Sequence, residues 1–382
     1  MQGNLHHYKQ LTVISDTALY YWNGKSFGFG PVVRELESIA FLFDTIIWVG
    51  FERNDMKHNS IATEITNPNI KMVLLNKSGG NTLFEKLQVL ANTPKMIYVI
   101  IKSVVGADVV HTRAPSSPAF LAVLISFLLK KKIWWNKYAG NWEQDNPPFF
   151  YGLQKKLLEK ALHSTVTING KWPTQPKHCM SFENPCIDEQ EQHIGAELLK
   201  TKNYNTPLTG IFVGRLETWK GVDKIIESLP VLISKGLEAF HFVGGGEKLS
   251  YYKEVVTKMD LSIKVIFHDY LSRDKISHLF IESHVILLPS DNEGFPKVIA
   301  EAANYGCVPI VSNVSSLPHY INESNGFLWD INKGSFREFV ESINLSSENL
   351  QSKAKEAFEM SKLFTFDRYA HRILELINVN RN

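Results

Sequence analysis

Residues 284–313 read "HVILLPSDNEGFPKVIAEAANYGCVPIVSN", and this stretch decides the fold class. "HVILLPS" (284–290) and "CVPIVSN" (307–313) are short apolar runs with turn residues at their ends. Between them Val298, Ile299, Ala302 and Ala303 share one side of a helix-length segment, with Lys297, Glu301 and Asn304 on the polar side. Proline is tolerated in a first helical turn and glycine ends helices, so Pro296 and Gly306 mark the start and the stop. Strand, helix and strand in so short a span form a crossover unit, whose strands are parallel and covered on both faces.

The same alternation extends in both directions. Downstream of the middle of the chain, "TGIFVG" (209–214), "AFHFVGG" (239–245) and "IKVIFHDY" (263–270) read as strands. Val222, Ile225, Ile226, Leu229, Leu232 and Ile233 form a helical stripe of period 3.6 after the first of them. Upstream, "LTVISD" (11–16), "TIIWVG" (45–50), "IKMVLL" (70–75), "ADVVHTR" (107–113), "KIWWNKY" (132–138) and "TVTIN" (165–169) are strand-like, with helical segments such as 81–104 between them. The expected architecture is α/β: two Rossmann-like, doubly wound parallel-sheet domains in series. Prolines and polar residues from about Lys171 to Thr206 mark a connector. The expected division is 1–185, 186–365, and a closing helix in 366–382 that crosses back to the first domain, with Tyr369, Ile373, Leu374 and Ile377 on its apolar side.

Length and charge narrow the function. A chain of 382 residues is long enough for two full cores, and a net charge of +2 gives no reason to expect nucleic acid. Three scattered cysteines, Cys179, Cys186 and Cys307, suit a reducing compartment and lack metal-ligand spacing. The opening "MQGNLHHYKQ" lacks the build of a secretory signal, so the expected location is cytoplasmic. "AFLAVLISFLL" (119–129) is too short to span a bilayer; followed by Lys130, Lys131 and Lys132, it reads as a buried helix with a basic end or as a peripheral anchor at the inner membrane face.

Open parallel sheets take ligands outside the carboxyl ends of their strands. "GRLETWKG" (214–221) follows one such end and offers Arg215 and Lys220, two cations beside a helix start, a seat for a phosphate or diphosphate. "GGGEKL" (244–249) follows the next, where Gly244 allows a close backbone approach or an ordinary turn. In the opening stretch Glu293 stands before the helix and Glu301 inside it, about 12 Å apart along the axis at ~1.5 Å per residue. That separation is too great for a pair of carboxylates acting on one glycosidic bond. It suits one acid near a reacting sugar and one near the far end of a nucleotide.

"FVGRLETWKG", "FVGGGEKL" and "PSDNEGFPKVIAEAANYGCVPIVSN", in this order, resemble the C-terminal half of the family 4 glycosyltransferases, a retaining group with the GT-B fold. The resemblance implies that Arg215 and Lys220 hold the diphosphate of a nucleoside-diphosphate sugar, that Glu301 binds its ribose, and that Glu293 contacts the donor sugar. Gly294, Phe295, Lys297 and Gly244 would complete the donor site. In the first half "WNGKSFGFGPVVRELE" (22–37) resembles the family's glycine-rich loop, with Gly28 and Gly30 as close-approach positions, and "ADVVHTRAP" ends a strand with His111. Where relatives carry a histidine near the sugar, "WWNKYAGNWEQ" offers Lys137 and Asn141, which with His111 are the acceptor-side candidates. Pro296 stands where glycine is common and removes one phosphate donor. No D-x-D occurs, so neither a divalent metal nor any other cofactor is expected. The resemblance implies transfer of a sugar, with retention, to a saccharide or lipid-linked glycan. A sugar-nucleotide epimerase and a non-catalytic nucleotide-sugar-binding protein are the alternatives.

Overall fold

The computed structural model describes residues 8–53, 62–76, 83–144, 146–205, 207–261 and 264–379. The chain divides into two compact units, Met1–Phe182 with Tyr369–Asn382, and Glu183–Arg368.

In the first unit the elements run β1 (Tyr8–Trp22), β2 (Lys25–Phe29), α1 (Gly30–Glu37), β3 (Phe43–Glu52), β4 (Ala62–Glu64), β5 (Ile70–Leu75), α2 (Leu83–Val105), β6 (Val109–Ala114), α3 (Ser117–Ser126), β7 (Ile133–Tyr138), α4 (Phe149–Lys160), β8 (Thr165–Ile168) and β9 (Cys179–Ser181). The parallel strands lie in the order β5-β3-β1-β6-β7-β8-β9. The strand order reverses beside β1, which places the ligand-binding end of such a sheet at the carboxyl end of that strand. Leu11, Val13, Ile46, Trp48, Val109 and Trp135 face a core that Tyr369, Ile373 and Ile377 of the chain's last helix complete.

β1 continues past that core. Its second half pairs antiparallel with β2, Leu19 opposite Gly28 and Trp22 opposite Lys25, and β2 pairs antiparallel with β4. Asn23 (φ 48°) and Gly24 (φ 75°) make the two-residue turn. Positive φ at both central positions is the type I′ hairpin geometry that Asn-Gly favours. The glycine-rich segment expected as an open loop is therefore a strand. Gly28 lies in it because a Cβ there would stand 2.9 Å from the Trp48 ring, and Gly30 is the buried first residue of α1.

The second unit runs α5 (Glu189–Thr201), β10 (Leu208–Val213), α6 (Val222–Ser234), β11 (Leu237–Val243), α7 (Leu249–Lys258), β12 (Val265–His268), α8 (Arg273–Glu282), β13 (Val285–Leu288), α9 (Lys297–Asn304), β14 (Val308–Ser312), β15 (Phe327–Trp329), α10 (Phe336–Ser342) and α11 (Ser347–Ser361); α12 (Phe366–Val379) follows. All six strands are parallel, in the order β12-β11-β10-β13-β14-β15. The order reverses between β10 and β13, so the loops after these two strands flank the switch point. Val222, Ile225, Ile226, Leu229 and Leu232 of α6 are buried, as the stripe predicts. The three cysteines are free and buried.

Candidate functional site

The loops after β10 and β13 are stitched together in the second unit. The chain leaves β10 and forms a short 3-10 turn, Thr218–Lys220, that ends at Gly221 with φ 79°. A Cβ at Gly221 would stand 2.2 Å from the Pro289 carbonyl oxygen, so only glycine lets this turn lie on the loop after β13. The Asp291 N–H donates to the Trp219 carbonyl at 2.9 Å, and Lys224 donates to the Pro289 carbonyl at 3.1 Å and pairs with Asp291.

This docking brings Lys220 and Glu293 into direct contact as an ion pair, with side chains 15% and 8% exposed. Ser290 Oγ donates to the same carboxylate at 2.9 Å, and the Glu293 N–H donates to Ser315 Oγ at 3.2 Å. Ser316 Oγ donates to the Gly294 carbonyl at 2.9 Å, which fixes the chain just before α9. An ammonium and a carboxylate, both largely withdrawn from water, thus sit at the carboxyl ends of β10 and β13. The Lys220 ammonium also lies 4.5 Å from the centre of the Trp219 ring. Arg215 stands apart from this pair: its side chain is 66% exposed and bonds Glu217 at 3.0 Å.

Glu301 pairs with a residue that sequence reading passes over. Arg273 Nη1 donates to Glu301 Oε1 at 2.8 Å, Nε and Nη2 donate to the two oxygens of Glu191 at 2.6 and 2.8 Å, and Nη2 also donates to the Cys186 carbonyl. Burial works to lower the Arg273 pKa, but the hydrogen bonds and charges of the two glutamates outweigh it and leave the pKa raised. Arg273 is the first residue of α8, where a cation opposes the helix dipole. An arginine at that position is the signal that points to acidic partners elsewhere.

Other expected site residues fall in different places. Gly244 (φ 129°) and Gly246 lack side chains because Gly214 O and Leu216 O lie 2.1 and 2.5 Å from where a Cβ would be, so both are used where the loops after β10 and β11 run together. The Phe295 side chain is in the core, stacked on Phe364 with centroids 4.4 Å apart. Lys297 begins α9, with Pro296 as N-cap. Asn304, expected on the polar side, is buried against α5: it donates to the Glu191 carbonyl at 2.8 Å, and Gly195 leaves room for its backbone.

In the first unit, His111 is fully buried, stacked on Trp135 at 3.6 Å, with Nδ1 3.1 Å from the Trp135 carbonyl. Burial and the charges of Arg113 and Lys137 hold its pKa well below the usual histidine value. It sits in the core rather than on the surface where an acceptor would reach it. Lys137 is also buried, donating to Glu35 Oε2 at 3.0 Å, and Arg113 donates to the same oxygen at 2.7 Å. Asn141 Oδ1 accepts from the Glu143 N–H at 3.2 Å, an Asx-type turn. Among the described residues no cluster of three or more histidine, cysteine or acidic side chains could hold a metal ion. No described helix is long and apolar enough to cross a membrane.

Comparison with known proteins adds to this geometry. Residues 197–359 match the family described as glycosyl transferases group 1. An uncharacterized glycosyltransferase of Methanocaldococcus jannaschii is 27% identical over 119 residues, 31% of this chain and 30% of that protein. The first relatives are therefore matched over less than half their length. An uncharacterized glycosyltransferase of Haemophilus influenzae is 28% identical over 264 residues, 67% of this chain and 71% of that protein. Among solved structures, a Rickettsia africae glycosyltransferase superposes with a TM-score of 0.66 at 18% identity, covering 98% of both chains. Anabaena HepE, solved in complex with UDP and glucose, gives a TM-score of 0.65 at 15% identity, covering 98% of this chain and 100% of that one. The two parallel-sheet units form the GT-B fold, and with the match over residues 197–359 they support a group 1 glycosyltransferase.

Proposed function

We propose that the chain transfers a sugar from a nucleoside-diphosphate sugar to a hydroxyl of a saccharide or lipid-linked glycan, with retention at the anomeric carbon and without a metal ion. The observation that carries the reading is the Lys220–Glu293 pair at the strand-order reversal of the second unit. Ligand sites of doubly wound sheets lie at that place. The UDP in the HepE complex supports the kind of donor.

Each side chain has a task that its geometry permits. Lys220, preset by Glu293, presents an ammonium to the diphosphate and stabilises the negative charge that grows as the bond from the anomeric carbon to the β-phosphate oxygen breaks. Arg215, exposed and held among the described residues by Glu217, can swing onto the outer phosphate oxygens. Glu293, fixed by Ser290 and Lys220, contacts the donor sugar, where a carboxylate also favours positive charge developing at the anomeric carbon. Glu301 keeps Oε2 for a ribose hydroxyl while Arg273 holds Oε1. The backbone of Gly294, Phe295, Lys297 and Gly244 borders the same loops. The acceptor oxygen bonds to the anomeric carbon on the face that the diphosphate leaves, and the acceptor's proton departs with that leaving group. A peripheral contact with an anionic membrane face is part of the reading, carried by Leu128, 85% exposed, next to Lys130 and Lys131.

The test is a panel of UDP-, GDP-, ADP- and dTDP-sugars read by ligand-observed NMR, followed by mass detection of the glycan product with and without EDTA. Transfer that survives the chelator, with the donor's anomeric configuration kept in the product, is the expected result. Isomerised nucleotide sugar without transfer, binding without turnover, or reversible loss with EDTA would each sink the proposal.

A further inference from the structure

The central strand of the first unit is interrupted where a ligand would meet it. β1 pairs with β3 as Ile14 opposite Val49 and next as Ala18 opposite Phe51, so Ser15, Asp16 and Thr17 stand against Gly50 alone. Such bulges re-aim side chains and occur next to active sites. This one is fastened. The buried Ser15 hydroxyl accepts from Trp48 Nε1 at 3.1 Å and from the Thr17 N–H at 3.3 Å, and lies 3.5 Å from the Val49 carbonyl. A Cβ at Gly50 would stand 2.6 Å from the Thr17 carbonyl oxygen, so the bulge can cross β3 only over a glycine.

The effect is to turn Asp16 outward just past Ile14, where the parallel pairing of β1 with β6 ends. The residue is exposed, and among the described residues no other side chain bonds or ion-pairs with its carboxylate. Beyond the bulge the hairpin closes over it, leaving a pocket of about 210 Å³ lined by Asp16, Thr17, Tyr20, Gly28 and Phe29 among others. Phe29 is 41% exposed, and Tyr20 is braced from behind by the stacked Phe27 ring, 5.4 Å between centroids. The pocket is smaller than the ~300–1,000 Å³ of drug-sized sites, the size for one ring rather than a nucleotide. A carboxylate with no cation bonded to it repels phosphate and accepts from hydroxyls; aromatic walls favour the C–H face of a sugar.

We propose that this pocket is a subsite for one neutral pyranose ring, with a ring hydroxyl donating to Asp16 and the sugar's apolar face against Phe29. The assignment of that ring to the acceptor rests on the glycosyltransferase reading; the pocket's preference for a neutral sugar does not.

The experiment is saturation-transfer NMR on the full chain with methyl α- and β-pyranosides of glucose, galactose, mannose and N-acetylglucosamine, with UDP and GDP run in parallel. At least one pyranoside takes up saturation, and Asp16→Ala and Phe29→Ala each weaken its binding about tenfold, since hydrogen bonds to charged groups and ring contacts are of that order. Both variants keep nucleoside diphosphate binding within about twofold, which shows that they are folded. No saturation of any pyranoside, or saturation unchanged in both variants, overturns the subsite. Failure of every nucleotide to bind, with pyranosides still binding through Asp16, would sink the glycosyltransferase reading and leave the subsite standing.

Discussion

The two units share one parallel strand order, reversing beside β1 in the first and between β10 and β13 in the second, yet they use charge at that reversal in opposite ways. In the second unit, Lys220 and Glu293 come from loops beyond the strand ends and keep some contact with solvent. In the first, Arg113 and Lys137 extend from β6 and β7 themselves and share the one oxygen of Glu35, whose side chain is 2% exposed. The order of six parallel strands that the two sheets share therefore fixes where a site can form but not whether charges are offered to a ligand or consumed inside the fold. The choice is made by single residues. Gly221 lets one loop lie upon another, whereas the bulge at Ser15–Thr17 sends the first unit's available carboxylate outward.

The contrast breaks most sharply at Glu35. Replacing it with alanine removes the carboxylate that Arg113 and Lys137 share, and removing one partner of a buried pair costs about 3–5 kcal/mol. We expect Glu35→Ala to lower the denaturation midpoint far more than Lys220→Ala does, measured by urea unfolding of both proteins. Equal losses would mean that the two charge groups play the same part.

Lys220→Ala should instead act on the ligand. Loss of one preorganised donor to a developing negative charge costs about 10²–10³ in turnover. It should weaken nucleoside diphosphate binding and cost less stability than Glu35→Ala, because it leaves one buried carboxylate that keeps Ser290 as a hydrogen-bond donor, whereas Glu35→Ala removes the shared partner of two cations. Titration calorimetry and unfolding on the same preparation check it. A variant that binds as well as wild type removes Lys220 from the proposed site.

Arg273 is more exposed than either, at 36%, and yet holds two carboxylates. Arg273→Gln should cost about 2 kcal/mol of stability, below the fully buried figure because solvent screens the group. If Glu301 reads ribose, the same variant should reduce the preference for a ribonucleoside over a 2′-deoxy or 3′-deoxyribonucleoside diphosphate, with Arg273→Lys restoring part of it. An unchanged preference would separate Arg273 from nucleotide recognition.

What could be read in the sequence follows from which signals are local. The strand "IKMVLL" coincides with β5, and the α6 stripe is buried, because both depend only on period and branching. The hairpin is equally local: "WNGK" carries its turn, whereas the resemblance to a glycine-rich loop rests on Gly28 and Gly30, which the structure places in β2 and at the start of α1. Glu293 and Lys220 stand out in sequence as charged residues beside turns. Ser290, Ser315 and Arg273, which hold them or their neighbours, lie 3 to 28 residues from their partners in chain order, and a small hydroxyl has no periodicity to betray it. Phe295 and His111 carry the reverse lesson. Phe295 sits inside a motif and still turns its side chain into the core, and His111, expected at a strand end, lies in the middle of β6 and is buried.

The smallest expected effect concerns protons and also comes from the first unit's interior. His111 is neutral in the folded chain because burial, with Arg113 and Lys137 adding repulsion, depresses its pKa far below the usual histidine value of about 6.5. The unfolded chain binds that proton as the pH falls below about 6.5, and the folded chain does not. The contribution of His111 is thus complete above that pH and is lost as the pH falls from there toward the folded pKa, by at most about 1.4 kcal/mol per pH unit. His163, His241, His268 and His284 are depressed too, chiefly by burial, and steepen the same limb. His111→Phe keeps a ring against Trp135 and removes the proton site. Although less stable at pH 7.5 for want of the bond to the Trp135 carbonyl, it should lose stability more gently between pH 6.5 and 5 than wild type. Parallel slopes would mean that His111 takes up its proton in the folded chain, against its fully enclosed position between two cations.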